Sequence, residues 1–547
     1  MSAETLQPLS QDSHADGSIT SSTLLTPTED KTRGVMCIRP TTVVPVIFVP
    51  GIMGSNLRDI RTGYSVWNTN NTVAIMLQWM FRSAGTRQAK LGPDRAILDD
   101  RGWWYGPSAT VPDEETGKLR GQGTTSRAFY GDFVRWLDNQ LNGEVKNGEA
   151  TATFAGDHPG LPSPWQPFVG VEHYGKSWNA QKPFEVLTKV ESDKVWANFF
   201  CPVYVQGYNW LKSNGESGKA LAEKINEIIN FWKDQSACGY KCEQVILVSH
   251  SMGGLVTRAA VHPEFGNAAG RVLGIVHGEQ PANGAAAAYH HCRNGYGGGS
   301  GLVLGRNAAQ VTAVFANSPG AMELLPNHQY NTQGGEYASK WLMVRQGSRQ
   351  EPALRQPDSD PYKDIYLQQN VWWRLTDPAL IDPSGKYTVD EAWKMYRANV
   401  RIVGTFHQTL GTYYHPQTYV HYGADADKHA AYGDLIWRGT GSFNLSQSEL
   451  LESPAAKGSN PVKVASPIDG QTQTFSIANP HDVGYPQPGD ETVPACSGEA
   501  PFKQGGGNVR QSFRLTGFEH QAAYDYDDVR ICTLYAIGKL LCGAEEL

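Results

Sequence analysis

A doubly wound α/β fold, in which helices flank a mostly parallel sheet and large insertions interrupt it, is predicted by three stretches of the sequence. Val245-Ile246-Leu247-Val248 is a continuous apolar run that enters Ser249-His250-Ser251-Met252-Gly253-Gly254-Leu255-Val256, a turn of small residues followed by a helical pattern. Val43-Val44-Pro45-Val46-Ile47-Phe48-Val49 is a second apolar run, with Pro45 suited to a strand start. It ends in the Gly-bracketed turn Pro50-Gly51-Ile52-Met53-Gly54-Ser55-Asn56-Leu57. Between the two, Pro202-Val203-Tyr204-Val205 reads as another strand. Ser217 is expected to cap a helix carrying Leu221, Ile225, Ile228, Ile229 and Trp232 on one face. Strand, strand, helix, strand and helix in that order is the pattern of a parallel sheet wound on both sides.

Composition narrows the function classes. With 547 residues, 40% hydrophobic and 18% charged, the chain resembles an ordinary soluble globular protein with a large core. Its net charge of −7 argues against nucleic-acid binding and supplies no attraction to an anionic membrane. Residues 1–34 lack an apolar core segment, and nowhere do about eighteen apolar residues run together. Neither a signal peptide nor a membrane-spanning helix is therefore expected. Eight cysteines in so long a chain do not make a disulfide scaffold, although Cys238 and Cys242 are close enough in sequence to pair. No zinc-ligand spacing occurs.

In chain order, residues 1–40 read as a disordered tail, too polar to bury a core. Residues 41–547 read as one α/β domain with cap insertions at about 60–200 and 284–400. The first insertion is irregular and aromatic-rich, with a helical stretch near 129–141; it is too long for a simple connection, so part of it should cover a site. After the Ser251 turn a helix is expected to about residue 261, and then the strand Val272-Leu273-Gly274-Ile275-Val276-His277. Residues 282–305 are Gly- and Ala-rich, which suits a lid hinge or a plain loop equally. Strands are expected at 400–403 and 418–422, and the Ser-, Pro- and Gly-rich residues 440–480 are expected to loop out. Ser512-Phe513-Arg514-Leu515 reads as the last strand, with a closing helix from Asp527-Asp528.

A strand, a sharp turn and a helix lift one serine hydroxyl clear of a sheet, provided that the residues two before and two after it are small. Here these are Ser249 and Gly253, with serine where glycine is usual. A serine needs a histidine to take its proton and a carboxylate to orient that histidine. In chain order, Asp490 in Gly489-Asp490-Glu491-Thr492-Val493-Pro494 and His520, between the last strand and the last helix, follow Ser251 as acid and base should. His250 is expected to pack beside the nucleophile, and His277, His290 and His291 precede any suitable acid. Asp482, Asp525 and Glu519 are weaker alternatives to Asp490.

Together Val49-Pro50-Gly51-Ile52-Met53-Gly54-Ser55-Asn56-Leu57, Tyr208-Asn209-Trp210, His250-Ser251-Met252-Gly253-Gly254 and Gly489-Asp490-Glu491-Thr492-Val493-Pro494 resemble lecithin:cholesterol acyltransferase-like lipases of the α/β-hydrolase fold. Residues 207–214, Val276-His277-Gly278-Glu279-Gln280-Pro281 and Phe518-Glu519-His520-Gln521-Ala522-Ala523-Tyr524 are similar to bacterial phospholipase effectors of type VI secretion. The resemblance implies Ser251 as nucleophile, Asp490 as acid, His520 as base, and the backbone amides of Met53 and Met252 as the oxyanion hole. It implies a phospholipid substrate, an acyl-enzyme, delivery from a bacterial cytoplasm to a target-cell membrane in the periplasm, and a cognate immunity protein.

Two other readings are compatible with these residues: an acyltransferase that uses an alcohol acceptor, and a hydrolase-like binding protein without turnover. The chemistry requires no metal or other cofactor. Asp358-Ser359-Asp360 and Asp525-Tyr526-Asp527-Asp528 are the acid clusters from which a calcium site would be drawn, but solvated loop charges account for them.

Overall fold

Alternate residues of the strand before Ser251 point to opposite faces of a sheet, and both faces are covered. In the computed structural model that sheet has six parallel strands. They are β1 (Val46–Val49), β2 (Val203–Val205), β3 (Val245–His250), β4 (Val272–Gly278), β5 (Thr418–Gly423) and β6 (Val509–Leu515), in the spatial order β2-β1-β3-β4-β5-β6. The structure describes residues 40–547 except 71, 143–144, 147–148, 151–168, 236–238, 332–338, 350, 442, 455–457 and 545–547. Before residue 40 it describes four short strands. Thr5–Pro8 pairs with Thr32–Val35 and Gln11–Ser13 pairs with Ile19–Ser21, where a disordered tail was expected. The β-branched Thr, Ile and Val residues of these segments favour extended backbone. The rest of that stretch lies outside the described residues.

Four helices flank the central strands, α1 (Arg127–Asn142), α2 (Asn214–Asp234), α3 (Gly253–Val261) and α5 (Asp527–Cys542), while α4 (Val389–Leu410) belongs mostly to the core of the insertion after β4. On one face Leu247 packs with Leu221, Ile225 and Ile228 of α2 and with Leu255 and Val256 of α3. On the other, Phe48, Ile246 and Val248 meet Tyr130 and Phe133 of α1 and Val529, Ala536 and Leu540 of α5. The strand order reverses at β1, so the crevice of this fold opens between the carboxyl ends of β1 and β3. The two Gly-containing turns lie at those ends.

Several sequence expectations are corrected. Helix α2 begins at Asn214, not Ser217, because its N-terminal groups are satisfied from a distant part of the chain. Ser213 caps it, and the buried Glu323 carboxyl group lies 2.6 Å from Ser213 Oγ and accepts from Asn214 N and Nδ2 at 2.7 Å each. Residues 400–403 are helical, inside α4. A capping box of Thr388 and Glu391 starts that helix, and Trp393, Tyr396, Val400, Val403, Phe406 and Leu410 line its buried side at helical spacing. Residues 440–480 do not simply loop out. Val462–Ala465 and Thr472–Ile477 join Leu435–Thr440, Leu342–Gln346 and Leu354–Gln356 in a second, five-stranded sheet, packed with Trp341, Trp372 and Trp437 in a separate core. Alternating β-branched and aromatic residues in those two segments outweigh the surrounding turn-forming composition.

The insertion between β4 and β5 thus runs on to residue 417, and a further one separates β5 from β6. Cys242 is a free, buried thiol, while Cys238 lies outside the described residues.

Candidate active site

Ser251 sits between β3 and α3 with φ of 53°, a left-handed conformation that costs a non-glycine residue about 1–2 kcal/mol. The surroundings enforce it. Ser251 N donates to Gly278 O at 2.9 Å, and Gly254 N donates to Ser251 O at 2.9 Å. A Cβ on Gly253 would stand 2.4 Å from Val49 O and 2.6 Å from Pro50 O, so this position accepts only glycine without displacing β1. Ser249 tolerates its extra atoms because its Oγ lies 3.0 Å from His277 Nδ1 on the neighbouring strand, where Ser249 and His277 are paired in register.

The structure brings Ser251, His520 and Asp490 into one line of hydrogen bonds. Ser251 Oγ donates to His520 Nε2 at 2.8 Å, and His520 Nδ1 donates to Asp490 Oδ2 at 2.8 Å. Asp490 is buried, and its Oδ1 accepts from Val493 N at 2.7 Å and Thr492 N at 3.2 Å. His520 N donates to Asp490 O at 2.9 Å, so backbone and side chain fix the same spacing. Burial alone would push His520 down. The Asp490 charge and hydrogen bond outweigh it, with Glu279 adding to them, and the imidazole is raised above its ordinary value.

Asp490 stands where the end of β5 would place it. The chain leaves the central sheet after Gly423, builds part of the second sheet and returns where Gly489 bridges Asp425. A Cβ on Gly423 would stand 2.6 Å from Asp490 Cβ.

The turn after β1 lies directly against the serine, since a Cβ on Gly51 would meet Ser251 Cβ at 2.9 Å and Oγ at 3.5 Å. Met53 has a φ of 62°, and among the described residues neither the Met53 nor the Met252 amide donates to a backbone carbonyl. Free, oriented amides are what an oxyanion hole needs. Three aromatic residues pin this turn. Tyr208 Oη donates to Pro50 O at 3.0 Å, Trp67 Nε1 to Met53 O at 2.8 Å, and Gly51 N donates to Tyr130 Oη at 3.2 Å. Nothing local to Trp67 or Tyr130 in the sequence marks either as a partner of this turn, since Tyr130 reaches Gly51 across 79 residues.

The remaining candidates fall elsewhere. His250 is buried beside the serine, bonded to Tyr130 Oη and to His520 O at 2.9 Å each. His277 is buried under the elbow, and burial first, then the Arg258 charge, hold it well below its ordinary value. His290 stacks on Tyr432 and His291 on Tyr296. Asp482 closes a short turn at Pro480–Asp482, and Asp525 faces Arg530 at 3.3 Å. Glu519 is exposed. Glu279, in the stretch Val276-His277-Gly278-Glu279-Gln280-Pro281, is buried with its Oε1 3.0 Å from His421 Nδ1.

In the acid clusters Asp358 pairs with Lys340 at 2.9 Å, and Asp360 Oδ1 accepts from Tyr362 N at 3.0 Å. Among the described residues no group of three or more His, Cys, Asp or Glu converges to hold a metal ion, and no helix is long and apolar enough to cross a membrane.

No protein-family model and no curated protein sequence matches the chain. Among solved structures, the Tle4-Tli4 complex contains a chain 30% identical, with a TM-score of 0.73 over 92% of this chain and 99% of that one. Phospholipase PlaB from Legionella pneumophila is 12% identical with a TM-score of 0.13 over 53% of this chain and 74% of that one, too low to bear on the reading. With near-complete mutual coverage and a shared α/β architecture, the chain belongs to the family of Tle4, the type VI secretion phospholipase effectors of α/β-hydrolase fold that its motifs resemble.

Proposed function

We propose that this protein is a serine phospholipase that cleaves an acyl ester of membrane glycerophospholipids through an acyl-enzyme. The observation that carries the proposal is the continuous line Ser251–His520–Asp490 at 2.8 Å per link, set against a turn whose Met53 amide has no backbone acceptor among the described residues. In this reading His520 Nε2 takes the Ser251 proton as Oγ attacks the ester carbonyl. Asp490 stabilises the imidazolium, and the Met53 and Met252 amides hold the tetrahedral oxyanion. His520 then gives the proton to the departing lysolipid oxygen, and a water activated by the same nitrogen releases the fatty acid. None of these steps calls for a metal. Because Tle4 is found in a complex with Tli4, a cognate partner that neutralises the enzyme belongs to the same proposal, as does action on a target-cell membrane.

The test compares wild type with Ser251→Ala on mixed phosphatidylethanolamine and phosphatidylglycerol vesicles, with products followed by mass spectrometry. Fatty acid and lysolipid from wild type alone support the proposal and identify the ester cut. Equal release from both proteins would remove Ser251 from it. Hydrolysis of a short-chain ester without any lipid release would retain the serine and remove the phospholipid.

A further inference from the structure

The base loop and the turn after β1 come from opposite ends of the chain, yet a single run of hydrogen bonds joins them behind the serine. Gly51 N donates to Tyr130 Oη at 3.2 Å. Tyr130 Oη lies 2.9 Å from His250 Nδ1, and His250 Nε2 lies 2.9 Å from the His520 carbonyl oxygen. The direction of each bond follows from the ends. A carbonyl oxygen only accepts, so His250 Nε2 carries the proton and Nδ1 carries the lone pair. Tyr130 must then donate to Nδ1, which leaves its oxygen free to accept from Gly51 N. His520 has the opposite tautomer, with its proton on Nδ1 toward Asp490.

Burial agrees with these assignments. It holds His250 well below its ordinary value, with the His520 charge pushing the same way, so the ring stays neutral and keeps one donor and one acceptor. It pushes Tyr130 up to about 12, despite the Gly51 amide and the Gln521 side chain, so the phenol keeps its proton. Packing leaves little slack. A Cβ on Gly54 would stand 2.8 Å from Tyr130 Cε2, and the His250 and His520 rings lie 5.0 Å apart between centroids.

We infer that Tyr130 and His250 are positioning residues that hold the oxyanion turn and the base loop at one fixed separation, so that proton transfer and oxyanion binding meet the same carbonyl. The inference rests on the serine-hydrolase reading above. Each residue acts through the backbone, Tyr130 on Gly51 and His250 on His520.

The test is a double-mutant cycle on the full chain with a soluble short-chain ester, and active sites are counted by fluorophosphonate labelling. Tyr130→Phe removes only the hydroxyl. It should lower kcat per labelled site about tenfold, the factor corresponding to one ordinary hydrogen bond, and leave KM unchanged. His250→Gln keeps a donor at the Nε2 position for the His520 carbonyl, while its amide oxygen no longer sits at the Nδ1 position that accepts from Tyr130, so it should fall by a similar factor. The double variant should be no slower than the slower single variant, because each change breaks the same run. A purely structural role would reduce the number of labelled sites and the Tm without changing kcat per site. Wild-type kcat per site in Tyr130→Phe, or fully additive losses in the double variant, would overturn the inference. If His250→Gln fails to fold, Tyr130→Phe alone still decides by its kcat per site. An inactive wild type would instead refute the hydrolase reading, so the two failures are distinct.

Discussion

Replacing Asp490 by Asn exchanges one oxygen for an NH2 group, and the structure dictates which way the amide must face. Oδ1 of Asp490 accepts from Val493 N and Thr492 N, so the Asn oxygen has to occupy that place. The NH2 group then falls where Oδ2 stood, 2.8 Å from His520 Nδ1, and donates to it. His520 must accept at Nδ1 and carry its proton on Nε2, facing Ser251 Oγ. The nucleophile has a donor opposite it and no base. Loss of the carboxylate charge also removes the chief stabilisation of the imidazolium. A wrong tautomer of this kind in a serine triad lowers kcat by about 10⁴-fold, equivalent to about 5.5 kcal/mol of transition-state stabilisation. The backbone contacts of the acid loop survive, so Tm should stay within a few degrees of wild type. Hydrolysis of a short-chain p-nitrophenyl ester from pH 5 to 9 is the assay. Activity within tenfold of wild type at neutral pH, with the fold intact, would refute the assignment of Asp490 as the residue that sets the His520 tautomer.

Other expectations follow from individual contacts. His520 must be neutral to accept a proton and is raised above its ordinary 6.5, so kcat/KM should climb with pH through a midpoint above 6.5. A midpoint below 6.5 would contradict that. By the same sign, the His520 pairing stabilises the fold fully below pH 6.5 and stops doing so as pH rises through the folded value. Gly253→Ala places a methyl against Val49 O and should cost about 1–3 kcal/mol in urea unfolding together with most activity. An unchanged midpoint would show that β1 yields easily. Burial, working against the Ser213 and Asn214 hydrogen bonds, raises Glu323 from 4.5 to about 8. This group therefore favours the folded state below pH 4.5, and the contribution is lost as pH rises toward 8. Glu323→Gln should flatten the fall in stability between pH 5 and 8, and urea midpoints at both pH values check it.

The residues of the candidate triad were legible because each lies in a short stretch that announces its own geometry. A strand and a small-residue turn surround Ser251, a Gly-Asp turn holds Asp490, and a loop before the final helix holds His520. What escaped is what depends on contacts far along the chain. The N-terminus of α2 is completed by Glu323, 110 residues beyond Ser213. Tyr130 reaches His250 across 120 residues, so nothing near either residue foretells the contact. The β-branched residues of Val400-Arg401-Ile402-Val403 suit a strand, yet α4 runs through them, and the Thr388 and Glu391 capping box is the local sign of helix. The second sheet was hidden in a Ser- and Pro-rich segment whose Val462, Val464 and Phe475 alternate toward a buried face.

The central claim, that Ser251 is a nucleophile activated by His520 and Asp490, is tested most directly by fluorophosphonate labelling followed by peptide mass mapping. One adduct per chain should form, on Ser251. It should be absent from Ser251→Ala and form far more slowly in Asp490→Asn and His520→Ala. An adduct on another residue, or equal labelling rates in all four proteins, would contradict the account.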